Sequence, residues 1–143
     1  MFKIRHVGIV ARGDLSILKN FYIALINPYK IDENIEQGKD IDYIIGVKNA
    51  KIKTCKLFSK DINIEIIKYI NPKVKINNFS LPAFSGFNHI AFTVDNFEKA
   101  RDLIIKNGGY CDDFKEYNFK GDSIRFVKYL RDPENNILEI VEM

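Results

Sequence analysis

Only two histidines occur in the chain, His6 and His89, and each opens a short apolar run of strand type, Ile4 to Val10 and Phe87 to Val94. Further along each half is a second apolar run with a glutamate at its centre, Ile62 to Ile67 around Glu65 and Asn136 to Val141 around Glu139. Two neutral imidazoles and two carboxylates balance the charge of one divalent cation. Mixed nitrogen and oxygen ligation suits Zn, Ni, Co, Mn or Fe without selecting among them. Taken singly, a strand histidine is commonly a hydrogen-bonded core residue and a strand glutamate a solvated one. The repeated order in both halves is what makes His6, Glu65, His89 and Glu139 read together as one metal site.

Side chains alternate across a strand, so the residues flanking each candidate point the opposite way. They are Val7 and Ile9, Ile64 and Ile66, Ile90 and Phe92, and Leu138 and Ile140. Four strands therefore offer an apolar face to a helical layer and turn the polar candidate to the other side. Gly8 and Ala91, small residues on that side, leave room for a ligand.

The elements that carry the four residues repeat as well. Asp14 can cap a helix whose apolar positions Leu15, Leu18, Phe21, Tyr22 and Leu25 share one face, ended by Asn27-Pro28. Asp95 or Asn96 can cap another with Phe97, Ala100, Leu103 and Ile104 on one face, stopped by Asn107-Gly108-Gly109. Runs of β-type composition follow: Tyr43 to Val47, Ala50 to Phe58 and Ile62 to Tyr69, then Ile124 to Leu130 and Asn136 to Glu142. Lys48-Asn49 and Ser59-Lys60-Asp61 are expected hairpin turns. Asp132 to Asn136 is the strongest turn, because proline presets φ and asparagine tolerates positive φ. Each half thus reads as strand, helix and about three strands: module one about 1–71, a linker about 72–86, and module two about 87–143.

Bulk properties set the frame. The chain has 143 residues, 46% hydrophobic and 13% aromatic, enough for one well-cored domain over 1–143. Twenty-two basic against nineteen acidic residues leave +3 without a basic block, so neither nucleic acid nor an anionic membrane is called for. The charged N-terminus excludes a signal peptide, no stretch approaches transmembrane length, and a cytoplasmic protein is expected. Cys55 and Cys111, far apart and without a CxxC, read as reduced structural thiols.

On the segments His6-Val7-Gly8-Ile9-Val10, Asn63-Ile64-Glu65, His89 to Val94 and Arg131 to Glu139, the chain resembles the vicinal oxygen chelate superfamily over essentially its full length. Among its members it is most similar to glyoxalase I (lactoylglutathione lyase)-like proteins. Arg131 to Glu139 is the most specific part, although Asn135 and Asn136 stand where the family often has glycine then asparagine. The resemblance implies an α+β fold of two βαβββ modules forming a curled mixed sheet, the glyoxalase/bleomycin resistance fold. It implies a single divalent metal ion on His6, Glu65, His89 and Glu139, a small-molecule substrate and a homodimer. Some members build each metal site from two chains, which leaves open whether the four ligands belong to one chain or two.

A cation beside two carboxylates suits proton transfer next to a carbonyl, with the cation taking the charge of an enediolate. Glu139 or Glu65 is the expected proton carrier, in a lyase or isomerase of the glyoxalase I type. Alternatives implied by the same family are a methylmalonyl-CoA epimerase-like isomerase, whose members usually carry glutamine at the Glu65 position, and a non-enzymatic drug-binding resistance protein. Extradiol ring cleavage would need a further histidine, and fosfomycin-type thiol transfer a histidine in place of Glu65. Phe119, Phe126 and Tyr129 could line a ligand cup, though packing is their commoner role. Lys120, Arg125 and Lys128 could hold an anionic substrate tail, though a solvated strand edge is the simpler reading.

Overall fold

In the computed structural model, which describes residues 1–76, 82–112 and 123–143, the first strand of each half returns to pair with its last. The order is β1 (Val7–Val10), α1 (Leu15–Ile26), β2 (Lys30–Gln37), α2 (Lys39–Ile45), β3 (Lys51–Phe58) and β4 (Asn63–Asn71). Then follow β5 (His89–Val94), α3 (Phe97–Lys106), β6 (Phe126–Arg131) and β7 (Ile137–Glu142). The chain divides into two compact units, Met1–Asn77 and Asn78–Met143. Mixed sheets with helices make this the expected α+β fold.

In the first unit the sheet order is β1-β4-β3-β2, with β1 parallel to β4 and the other pairs antiparallel. Asp14 caps α1 as expected, its carboxylate accepting from Ser16 N–H at 2.8 Å, and Asn27 ends the helix in the left-handed region. The helix buries Leu15, Leu18, Phe21 and Tyr22 and packs on β4 and β3. Facing them are Ile64, Ile66, Leu57 and Cys55, all without exposed surface. The apolar alternation of β4 has therefore found its helix.

Two segments depart from the sequence reading. Tyr43 to Val47, expected as a strand on its β-branched and aromatic content, lies mostly in the short helix α2. Asp40 and Asp42 sit in its first turn, where they complement the helix dipole. Asp42 also accepts from the N–H groups of Asn49 and Ala50 at 2.7 and 2.8 Å, and Gly46 closes the helix at φ 69°. Lys48-Asn49 consequently joins a helix to β3 and is not a hairpin turn. Conversely Lys30–Gln37, too charged to read as a strand, is β2, the edge of the sheet. Charge on such an edge guards against pairing with another chain.

The second unit has order β5-β7-β6, with β5 parallel to β7 and β6 antiparallel to it. Asn96 is the cap of α3, accepting from Lys99 N–H at 2.8 Å, and buried Phe97 N–H donates to Glu142 Oε2 at 2.8 Å. Phe97 and Ile104 are buried with Leu130, Leu138 and Ile140, whereas Leu103, expected on the same face, is 39% exposed. The stop signal after α3 has a steric cause at Gly109. A Cβ there would meet the Arg131 carbonyl oxygen at 2.6 Å, on the strand to which Tyr110 pairs. No helix among the described residues is long and apolar enough to cross a membrane.

The turn before β7 is built around Asp132, 2% exposed. Its carboxylate accepts from Glu134 N–H and Asn136 N–H, each at 2.9 Å, and from Asn136 Nδ2 at 2.7 Å. Asn135 takes φ 71°, the conformation a glycine would otherwise supply. Replacing Asp132 by Ala leaves three part-buried donors without their acceptor and is expected to cost about 2 kcal/mol in a denaturant titration. Burial pushes the Cys55 thiol up to about 11 from 9.0, with the Glu33 carboxylate adding to it. Below pH 9 both folded and unfolded chains keep this proton; above it only the unfolded chain releases it. Stability should therefore fall as pH rises from 9 toward 11. In native protein at pH 8 a thiol reagent should modify the half-exposed Cys111 and reach Cys55 only after denaturation.

Candidate functional site

Parallel pairing fixes the first His–Glu couple. Gly8 on β1 stands opposite Glu65 on β4, and His6, just ahead of the strand, falls two residues before Gly8 on the same side of the sheet. His6 Nε2 lies 2.9 Å from Glu65 Oε2. The segment before β1 is tied down by Asn63, whose Nδ2 donates to the Arg5 carbonyl at 3.0 Å while its Oδ1 accepts from Ser59 N–H at 3.2 Å.

The second unit repeats the arrangement position for position. Ala91 on β5 stands opposite Glu139 on β7, His89 lies two residues before Ala91, and His89 Nε2 is 3.2 Å from Glu139 Oε2. In both units the residue facing the glutamate is small, so the space above the pair is not filled from that strand. Side-chain exposures of 34% and 13% for His6 and Glu65, and 30% and 26% for His89 and Glu139, leave both pairs reachable from solvent. Each unit brings together its own histidine and glutamate, two of the four residues expected to share one site. Among the described residues no third His, Cys, Asp or Glu joins either pair.

In each pair the imidazole Nε2 and a carboxylate oxygen face one another, at 2.9 and 3.2 Å, the separation of a His–Glu ion pair. For His89 the opposite ring nitrogen is also provided for. Nδ1 is 3.0 Å from Asn88 Oδ1 and 3.3 Å from the Tyr129 hydroxyl, an acceptor and a donor, so it has a partner in either tautomer. Asn88 is held in turn by donating from Nδ2 to the Pro82 carbonyl at 2.7 Å. Each pair thus offers one nitrogen and one oxygen donor, of the kinds that divalent cations take.

The third strand makes the two pairs differ. Antiparallel β3 places Lys56 opposite Glu65, with Nζ 3.5 Å from Glu65 Oε1, whereas β6 places Tyr129 opposite Glu139, its ring 5.0 Å from that of His89. Beside the first pair is a cavity of about 150 Å³ whose lining includes Arg5, His6, Lys56, Phe58 and Asn63. Lys56 and Arg5 did not stand out in the sequence. Lys56 was nonetheless findable there: counting back from the Ser59-Lys60-Asp61 turn pairs it with Glu65.

Other sequence candidates have local explanations. Arg125 pairs with Glu142 at 3.4 Å and Lys128 with Asp112 at 2.8 Å, so both cations face carboxylates. The Phe126 ring packs 5.9 Å from that of Phe97, a core contact. Phe119 and Lys120 lie outside the described residues, as does part of the 72–86 linker.

No protein-family model matches the sequence, and no curated protein matches it either. Solved structures do. A glyoxalase family protein from Bacillus cereus superposes with a TM-score of 0.84 at 16% identity, covering 99% of this chain and 94% of the other. A glyoxalase family protein from Enterococcus faecalis gives 0.61 at 21%, covering 98% and 97%. The fosfomycin resistance protein FosX from Listeria monocytogenes, in complex with Mn(II) and sulfate, gives 0.53 at 17%, covering 100% and 93%. At such identities the likeness establishes the fold alone: this chain has the architecture of these glyoxalase family and FosX proteins.

Proposed function

We propose that this protein is a divalent-metal-dependent lyase or isomerase of the glyoxalase type, moving a proton next to a substrate carbonyl. The observation that carries the reading is the His Nε2–Glu carboxylate pair formed twice at the same strand register. The Mn(II) complex of a protein with this fold supports it. A bound cation would act as a Lewis acid toward the carbonyl oxygen. His6, Glu65, His89 and Glu139 would hold it, within one chain or across two copies in a homodimer. Glu139 or Glu65 would accept the proton from the carbon beside the carbonyl and return it to the neighbouring carbon. Asn88 and Tyr129 hold the His89 ring at Nδ1 so that Nε2 faces Glu139 and would be free to take a metal. In this reading the two units are paired modules of one domain.

Elemental mass spectrometry of purified protein tests the assignment. About one metal per chain is expected, and loss of it in both His6→Ala and His89→Ala. Protein that takes up no divalent ion would overturn it. Asn88→Ala should weaken metal binding by about tenfold without unfolding the chain. Glu139→Gln should lower turnover of α-keto thiol adducts or acyl thioesters by about a hundredfold or more with the fold intact.

A second reading is a resistance protein that binds or inactivates a small drug. It is favoured by the cavity beside His6 and the likeness to FosX, and it stands instead if equilibrium dialysis shows ligand uptake that survives metal removal.

A further inference from the structure

The lining of the cavity beside His6 holds two cationic residues and no carboxylate. Arg5 and Lys56 both line it, together with Asn63 and the apolar Leu57, Phe58 and Ile64. Lys30 lies close by, its Nζ 5.2 Å from the centre of the Phe58 ring, but it is paired with Asp32 at 2.9 Å. Asp32, which stands opposite Lys56 on β2, is thus engaged from the other side. The carboxylate that answers Lys56 is Glu65 at 3.5 Å, and Glu65 is shared with His6 at 2.9 Å. Whatever draws Glu65 toward the imidazole takes a carboxylate from Lys56, which with Arg5 lines a space of about 150 Å³. Such a space suits an oxyanion: Arg presents a planar fork to two oxygens, Lys a point charge, and an amide a neutral donor.

We propose that this cavity is the subsite for an anionic group of the substrate, a phosphonate, phosphate or carboxylate held by Arg5 and Lys56. Glu65 is its internal competitor, occupying Lys56 until a cation at His6 and Glu65 claims the carboxylate. Cation and anion then bind cooperatively, each favouring the arrangement the other needs. The substrate class follows: a carbonyl compound bearing an acidic oxyanion group a few bonds from its reacting carbon. This rests on the metal reading for the coupling alone, since the cavity and its cations belong to the chain itself.

Isothermal titration of full-length protein with methylphosphonate and, separately, acetate tests the subsite and distinguishes the two anion classes. In metal-free protein Glu65→Gln should bind the preferred anion about tenfold more tightly than wild type, because Lys56 is released. Adding Lys56→Met or Arg5→Met to that variant should lower the affinity by about tenfold, while Lys56→Arg retains it. Thermal melts confirm that these variants are folded. No tightening in Glu65→Gln, or tightening indifferent to Lys56 and Arg5, would overturn the proposal. If wild type takes up no cation but these metal-free shifts appear, the metal reading falls and the subsite stands.

Discussion

The constraint on which the rest depends is the parallel pairing of the first and last strands of each unit. A parallel register brings a histidine near the start of one strand and a glutamate on another to the same side of the sheet. The same pairing sends Ile64, Ile66, Leu138 and Ile140 to the opposite side, where they are buried. Helix packing and the His–Glu pairs are therefore two faces of one decision. A slip of one residue would turn the glutamates into the core and the isoleucines out of it, so the hydrophobic effect itself protects the register of the polar pair.

Much of this was legible in the sequence, for reasons that can be located. The caps Asp14 and Asn96 announce their helices because a short side-chain acceptor ahead of an apolar period has few other uses. The alternation in β4 and β7 is clear because both strands are inner strands with one covered face. The Asp132 turn was readable from Pro133 and Asn135, and the structure shows why asparagine can replace glycine there. What escaped was local structure decided by side chains rather than by pattern. α2 exists because Asp42 reaches Asn49 and Ala50 and Gly46 closes the turn, and no hydrophobic period announces that. β2 is an edge strand whose charges are solvated, so its composition resembles a loop.

At the site the sequence supplied the identities and the structure supplied the differences between the halves. The duplicated His–Glu order treats both pairs alike. The third strand breaks that equivalence, setting a cation beside Glu65 and a phenol beside His89. A lysine 3.5 Å away engages one of the Glu65 carboxylate oxygens. A tyrosine instead orients its histidine and leaves Glu139 unopposed on that side. Two copies of one architectural element have thus acquired unequal electrostatics through one cross-strand neighbour in each.

Each His–Glu pair joins residues from nearly opposite ends of its unit, whereas the hairpins β3–β4 and β6–β7 join near neighbours. In the unfolded chain neither imidazole has a carboxylate partner held close by local structure, since closing so long a loop costs entropy that only the finished sheet offsets. The pairs consequently exist only when the sheet is complete. A ligand that binds them is bound to the folded topology as a whole, and its binding energy acts as a tether between the outermost strand and the interior one.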